Sequence, residues 1–116
     1  MAASPRPAPK LDMSANGTAT GTTVQCTGEI TSDTCQSLRT IVKPLLSSNK
    51  TVVLDFTNVS YVDSSGLGTI VGLYISSKSA GCQLQLVNLT GRVKELFRVT
   101  RLGEVDRSLV PNLWED

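Results

Sequence analysis

The residues best suited to chemistry form one short run, Asp63-Ser64-Ser65-Gly66-Leu67-Gly68, just after an apolar stretch. It offers two hydroxyls, an adjacent carboxylate, and two glycines that leave room for a phosphate or another molecule's backbone to approach. A hydrolase nucleophile elbow needs G-x-S-x-G, but Val62 stands two residues before Ser64, and no histidine occurs to act as base. A phosphate-cradling loop needs G-x-x-x-x-G-K-[ST], and no such string occurs. A third chemistry makes Ser64 the acceptor of a phosphoryl group delivered by another enzyme. The added phosphate would bring about −1.5 to −2 charges at pH 7. A helix start tolerates that charge, while Asp63 and any acidic partner surface repel it. The plainer alternative is that Ser64 is only a helix N-cap, worth ~1 kcal/mol, with its side chain beside the backbone donors of Ser65, Gly66 and Leu67.

Composition narrows the classes further. The absence of histidine removes Ser-His-Asp and Cys-His catalysis, His-ligated metals and the usual neutral-pH proton shuttle. We expect no enzyme, no metal and no cofactor. Cys26, Cys35 and Cys82 form no CxxC pair and read as small buried hydrophobes in a reducing compartment. Eleven Lys and Arg against ten Asp and Glu give a net charge of +1, which makes no case for nucleic acid or an anionic membrane. No apolar run approaches the ~20 residues of a membrane span. Residues 1–10 lack the apolar stretch of a secretory signal, so a cytoplasmic location is expected.

The elements that must position the run follow from periodicity. Residues 1–9, rich in Ala, Pro and Ser, are expected to be a disordered lead-in, and residues 10–116 a single domain. A short strand near 10–15 and a turn at Asn16-Gly17 precede an alternating strand over 23–30, with Val24, Cys26, Gly28 and Ile30 on one face. T-S-D-T offers N-caps for a helix with Leu38, Ile41, Val42, Leu45 and Leu46 as its stripe, whose last turn Pro44 should kink or fray. Thr51 to Phe56 reads as a central strand covered on both faces, followed by a turn over 57–61. The next helix carries Leu67, Ile70, Val71, Tyr74 and Ile75 and ends at Gly81. A strand over 83–89, a third helix with Val93, Leu96 and Phe97 stopped by Gly103, and a short edge strand over 105–110 complete the chain. Strands alternating with helices require crossovers, so the fold class is α/β with a mixed sheet. Asp55, within the central strand, must lie near its end or be hydrogen-bonded.

The stretch T-V-V-L-D-F-T-N-V-S-Y-V-D-S-S-G-L-G, with Gly28-Glu29-Ile30 upstream and L-V-N-L-T-G-R-V-K-E-L-F downstream, resembles the signature of STAS-domain anti-sigma factor antagonists over residues 23–106. The resemblance implies a STAS-like mixed sheet of four or five strands with helices packed against it, and no catalysis. It implies a partner that is both an anti-sigma factor and a serine kinase, bound when the antagonist is unphosphorylated so that the sigma factor is released. Ser64 maps to the phosphorylated serine, with Ser65 as the fallback. Asp63, Ser65, Gly66, Leu67 and Gly68 would surround it as recognition surface, and a metal-dependent Ser/Thr phosphatase would restore the unmodified form. The family often carries an acid after G-E-[LIV]; here Thr31 holds that place, and Asp33 is the nearest substitute for it in partner binding. The family's final helix is also missing after Gly103, where Pro111 stands. An alternative within the same resemblance is a soluble STAS subunit of a membrane lipid or anion transporter. Self-association is left open.

Among the other side chains, Arg92, Lys94, Arg98 and Arg101 cluster around the third helix and read as a solvated face, or as a surface for an acidic partner. Tyr74 and Phe97 read as packing residues. Trp114 either covers a sheet edge or hangs in an exposed tail.

Overall fold

The computed structural model describes residues 10–102 and 106–114; the expected lead-in over 1–9 lies outside them. A four-stranded sheet runs in the order β1 (Leu11–Gly17), β2 (Gly21–Ile30), β3 (Thr51–Val62), β4 (Gln83–Val87). β1 pairs antiparallel with β2, while β2–β3 and β3–β4 are parallel. The crossovers are α1 (Cys35–Ser48) and α2 (Ser64–Ala80), which lie against each other, and α3 (Gly91–Val99) follows β4 against β3. The expected α/β class and mixed sheet are therefore present.

The departures are local and have physical causes. Asn16 and Gly17 stay in β1, paired with Thr23 and Thr22, and the chain reverses one step later where Thr18 N–H donates to Gly21 C=O at 2.7 Å. β3 does not turn after Phe56 but continues to Val62. Two register shifts against β2 absorb its extra residues: Gln25 and Thr27 face Asp55 and Asn58, then Gly28 and Glu29 face Val59 and Tyr61. These are β-bulges, and they change the buried spacing from every second residue (Val52, Leu54, Phe56) to every third (Val59, Val62). That irregular spacing is why the segment imitates a turn in sequence. β3 is also covered more fully on one face than the other, since Val53 and Asp55 are only half-buried. Gly28, at φ +125°, lets β1 close over the bulge, because a Cβ there would lie 2.1 Å from the Lys10 carbonyl oxygen.

The helices show the same pattern. α1 buries Cys35, Leu38, Val42 and Leu46, and leaves Ile41 41% exposed. It runs past Pro44 without fraying, because buried Leu46 anchors the last turn and Asn49 Nδ2 donates to Leu45 C=O at 2.9 Å. α2 buries Gly66, Thr69, Ile70, Leu73 and Ser77 while Ile75 is exposed, so its inward face is rotated from the expected stripe. Small residues let this helix approach its neighbours, and an apolar count overlooks them. Gly81, at φ +71°, closes α2 as expected.

β4 stops at Val87, where Asn88 turns to φ +60°. α3 stops at Val99, before the predicted stop at Gly103: the Thr100 hydroxyl bonds back to Leu96 C=O, and Arg101 adopts φ +60°. No strand forms over 106–110; Val105 lies outside the described residues. Turns there carry Leu109, Val110 and Leu113 into the core, and Leu86 N–H donates to Leu109 C=O at 2.7 Å. Phe97 is fully buried as expected, whereas Tyr74 is half-buried and donates its hydroxyl to Asp106 at 2.8 Å. Trp114 is 55% exposed and takes the Arg98 guanidinium 5.8 Å from its ring centre.

Candidate functional site

β2 and β3 are parallel neighbours ending in register, Ile30 beside Val62, so the loops leaving them are adjacent at the carboxyl edge of the sheet. Functional groups collect at such edges in α/β folds. One loop is Thr31–Thr34; the other is the junction from Asp63 into α2.

Asp63 joins the two. Its Oδ1 accepts from Gly66 N–H at 2.8 Å, its Oδ2 accepts from Ser32 N–H at 3.3 Å, and its own N–H donates to Ile30 C=O at 3.1 Å. Asp63, not Ser64, is therefore the N-cap of α2. The expectation that Ser64 caps the helix is corrected: an aspartate one residue earlier reaches the same N–H, which releases the serine. Gly66 is buried against β2, with a Cβ there placed 2.2 Å from Ile30 C=O.

Ser64 is the first residue of α2 and is exposed; its hydroxyl bonds to none of the described residues. Ser65 is also exposed, and its carbonyl accepts from the Thr69 hydroxyl at 2.9 Å. The two serines address different concavities. Ser64 lines a cleft of about 320 Å³ with Tyr61, Asp63, Arg92, Val93 and Leu96. Ser65 lines a groove of about 580 Å³ between α1 and α2, with Arg39, Lys43, Gly68 and Gly72. The Arg39 guanidinium is fixed there by a 2.9 Å bond to Thr69 Oγ1.

The remaining predicted site residues divide by exposure. Asp33 and Gly68 are exposed and Leu67 is half-buried, so they can meet a partner directly. Thr31 and Gly66 are buried and act by shaping the surface. Thr31 Oγ1 accepts from Asp33 N–H at 3.2 Å, and its carbonyl receives Thr34 and Cys35 N–H, so Thr31 builds the turn that presents Asp33. Thr34 serves that turn too: its hydroxyl accepts from Thr31 N–H at 2.9 Å and donates to Glu29 C=O at 2.8 Å. Arg39 and Lys43 were not singled out from sequence. Their i, i+4 spacing on the polar face of α1 was the available signal.

No cluster of three or more His, Cys, Asp or Glu able to hold a metal occurs among the described residues. Burial pushes the Cys26 thiol up to about 12, aided by the charge of Asp55, so it is no nucleophile. Asp55 is itself hydrogen-bonded, as expected. Burial raises its carboxyl, but bonds from Thr57 and Asn88 outweigh that and hold it below the usual range. No helix of the described residues is long and apolar enough to cross a membrane.

Comparison with known proteins agrees with this architecture. Residues 13–111 match the family described as "Mlab, STAS domain". The anti-sigma-B factor antagonist of Bacillus subtilis (strain 168) is 35% identical over 82 residues, covering 71% of this chain and 75% of that one. Among solved structures, the anti-sigma factor antagonist SpoIIAA in its unphosphorylated form superimposes with a TM-score of 0.67 at 21% identity, covering 89% of this chain and 85% of that one. Its phosphorylated form, from Bacillus, gives 0.62 at 20% identity, covering 89% and 88%. An anti-sigma factor antagonist from Mycobacterium paratuberculosis gives 0.70 at 18% identity, covering 83% and 82%.

Proposed function

The chain belongs to the STAS domain family, and from that premise we propose that it is an anti-sigma factor antagonist switched by phosphorylation of Ser64. Unphosphorylated, it binds an anti-sigma factor serine kinase and so frees the sigma factor; phosphorylated, it lets the kinase go, and a metal-dependent Ser/Thr phosphatase resets it. The chain is a binding protein and not an enzyme, needs no cofactor or nucleic acid, and works in the cytoplasm.

The observation that carries this reading is the exposed Ser64 hydroxyl, bonded to none of the described residues, on a helix start fixed by Asp63. No histidine occurs in the chain, and the Asp63 carboxylate caps the helix and makes no bond to the Ser64 hydroxyl, so Ser64 is suited to receive chemistry from a partner's active site. The curated relative's name and the existence of SpoIIAA in both phosphorylation states support the assignment. Asp33, Ser65, Leu67 and Gly68 supply exposed or half-exposed contact, while Asp63, Thr31 and Gly66 hold its shape. The phosphate would take the net charge from +1 to about −1. Incubation with the cognate kinase and ATP, followed by peptide mass spectrometry, tests the site. Phosphate on Ser64 is expected, phosphate on Ser65 moves the switch to the α1–α2 groove, and phosphate elsewhere removes the proposal.

A further inference from the structure

Ser64 and Arg92 line the same cleft, one from the first turn of α2 and the other from the first turn of α3. We propose that Arg92 is a built-in receiver for the Ser64 phosphate, drawing it into this cleft against α3. This rests on the reading of Ser64 as phosphoacceptor.

The cleft has the chemistry for that occupant. Arg92 is exposed and makes no ion pair or side-chain hydrogen bond among the described residues, so its guanidinium is available. A planar guanidinium binds phosphate through two parallel N–H donors, which a lysine cannot reproduce. The other walls are the apolar side chains of Val62, Val93 and Leu96 and the ring of Tyr61, so Arg92 is the only cation among the described residues that line the cleft. The acid in the cleft, Asp63, is bonded to the Gly66 and Ser32 N–H groups and makes no ion pair or hydrogen bond with Arg92 among the described residues. Arg39 and Lys43 line the groove used by Ser65, not this cleft. At about 320 Å³ the cleft admits a phosphate. A partner that docks here would then meet a filled cleft as well as new negative charge.

The test is a ³¹P NMR pH titration of the full chain carrying genetically encoded phosphoserine at position 64. A free phosphoserine has its second pKa near ~6, and a nearby cation lowers it. Arg92→Gln should raise the midpoint by about half a pH unit, the size of an exposed ion pair. Arg92→Lys should restore part of the shift, and Arg39→Gln should leave it unchanged. Equal midpoints for wild type and Arg92→Gln would overturn the proposal, as would equal shifts from Arg92→Gln and Arg39→Gln, which would report general surface charge. Encoding the phosphoserine separates this outcome from the kinase's choice of site. A kinase that labels Ser65 defeats the reading of Ser64 but leaves the titration interpretable, and a flat titration leaves the labelling result intact.

Discussion

The carboxylate of Asp63 accepts the backbone N–H of Gly66 at 2.8 Å, and this bond fixes where α2 begins. Because the same carboxylate reaches Ser32 at 3.3 Å, the helix start and the loop that carries Asp33 form one unit. Asp63→Ala removes an N-cap and an interloop bond together, and should cost about 1–2 kcal/mol in urea unfolding. Asp63→Asn keeps an acceptor oxygen and should lose less. Equal losses for the two would mean that the charge of Asp63, not its cap geometry, supports the junction.

The glycines of α2 should respond in opposite directions. A Cβ on Gly66 would collide with the Ile30 backbone at 2.2 Å, whereas a Cβ on Gly72 meets nothing within 4 Å. Gly66→Ala should destabilise by about 1–3 kcal/mol through overpacking. Gly72→Ala should stabilise by about 0.5–1 kcal/mol, since alanine replaces glycine in a helix interior. Thermal unfolding of the two variants side by side checks both signs.

Strand and helix order through α3 and the cap at Gly81 were readable, because they depend on periodicity and turn chemistry within a few residues. The capping role of Asp63 was missed because Asp63 and Ser64 are both good N-caps, and only the Ser32 contact across 31 residues decides between them. β3 beyond Phe56 was missed because two bulges erased its alternation. The inward face of α2 was misjudged because Gly66, Thr69 and Ser77 are buried for their size. The cleft joining Ser64 to Arg92 depends on α3 returning beside β3, which no local pattern encodes.

Lys78 and Asp106 join α2 to the C-terminal segment at 2.8 Å, with the Tyr74 hydroxyl on the same carboxylate oxygen. Hydrogen bonds from Lys78, Ser108 and Tyr74 hold the Asp106 carboxyl well below its ordinary value. Its contribution is therefore present above the unfolded value of about 4 and is lost as pH falls through the lower folded one. The bond to Asp106 raises Lys78, so the lysine's share persists until pH climbs past its usual range. Lys78→Ala should lower Tm modestly from pH 5 to 8, because the lysine is 57% exposed and screened. The deficit should shrink below pH 4. A deficit independent of pH would assign the effect to lost packing over the Tyr74 ring, which lies 5.5 Å from the Lys78 amine.

In the proposed switch, one phosphate on Ser64 releases the partner while the fold persists. Titration calorimetry of the cognate anti-sigma factor kinase, with unmodified protein, Ser64→Ala and phosphoserine-64 protein, tests it most directly. Similar affinity is expected for the first two and at least about tenfold weaker binding for the third, a difference of ~1.4 kcal/mol, with unchanged far-UV circular dichroism. Equal affinity of the unmodified and phosphorylated proteins would contradict it.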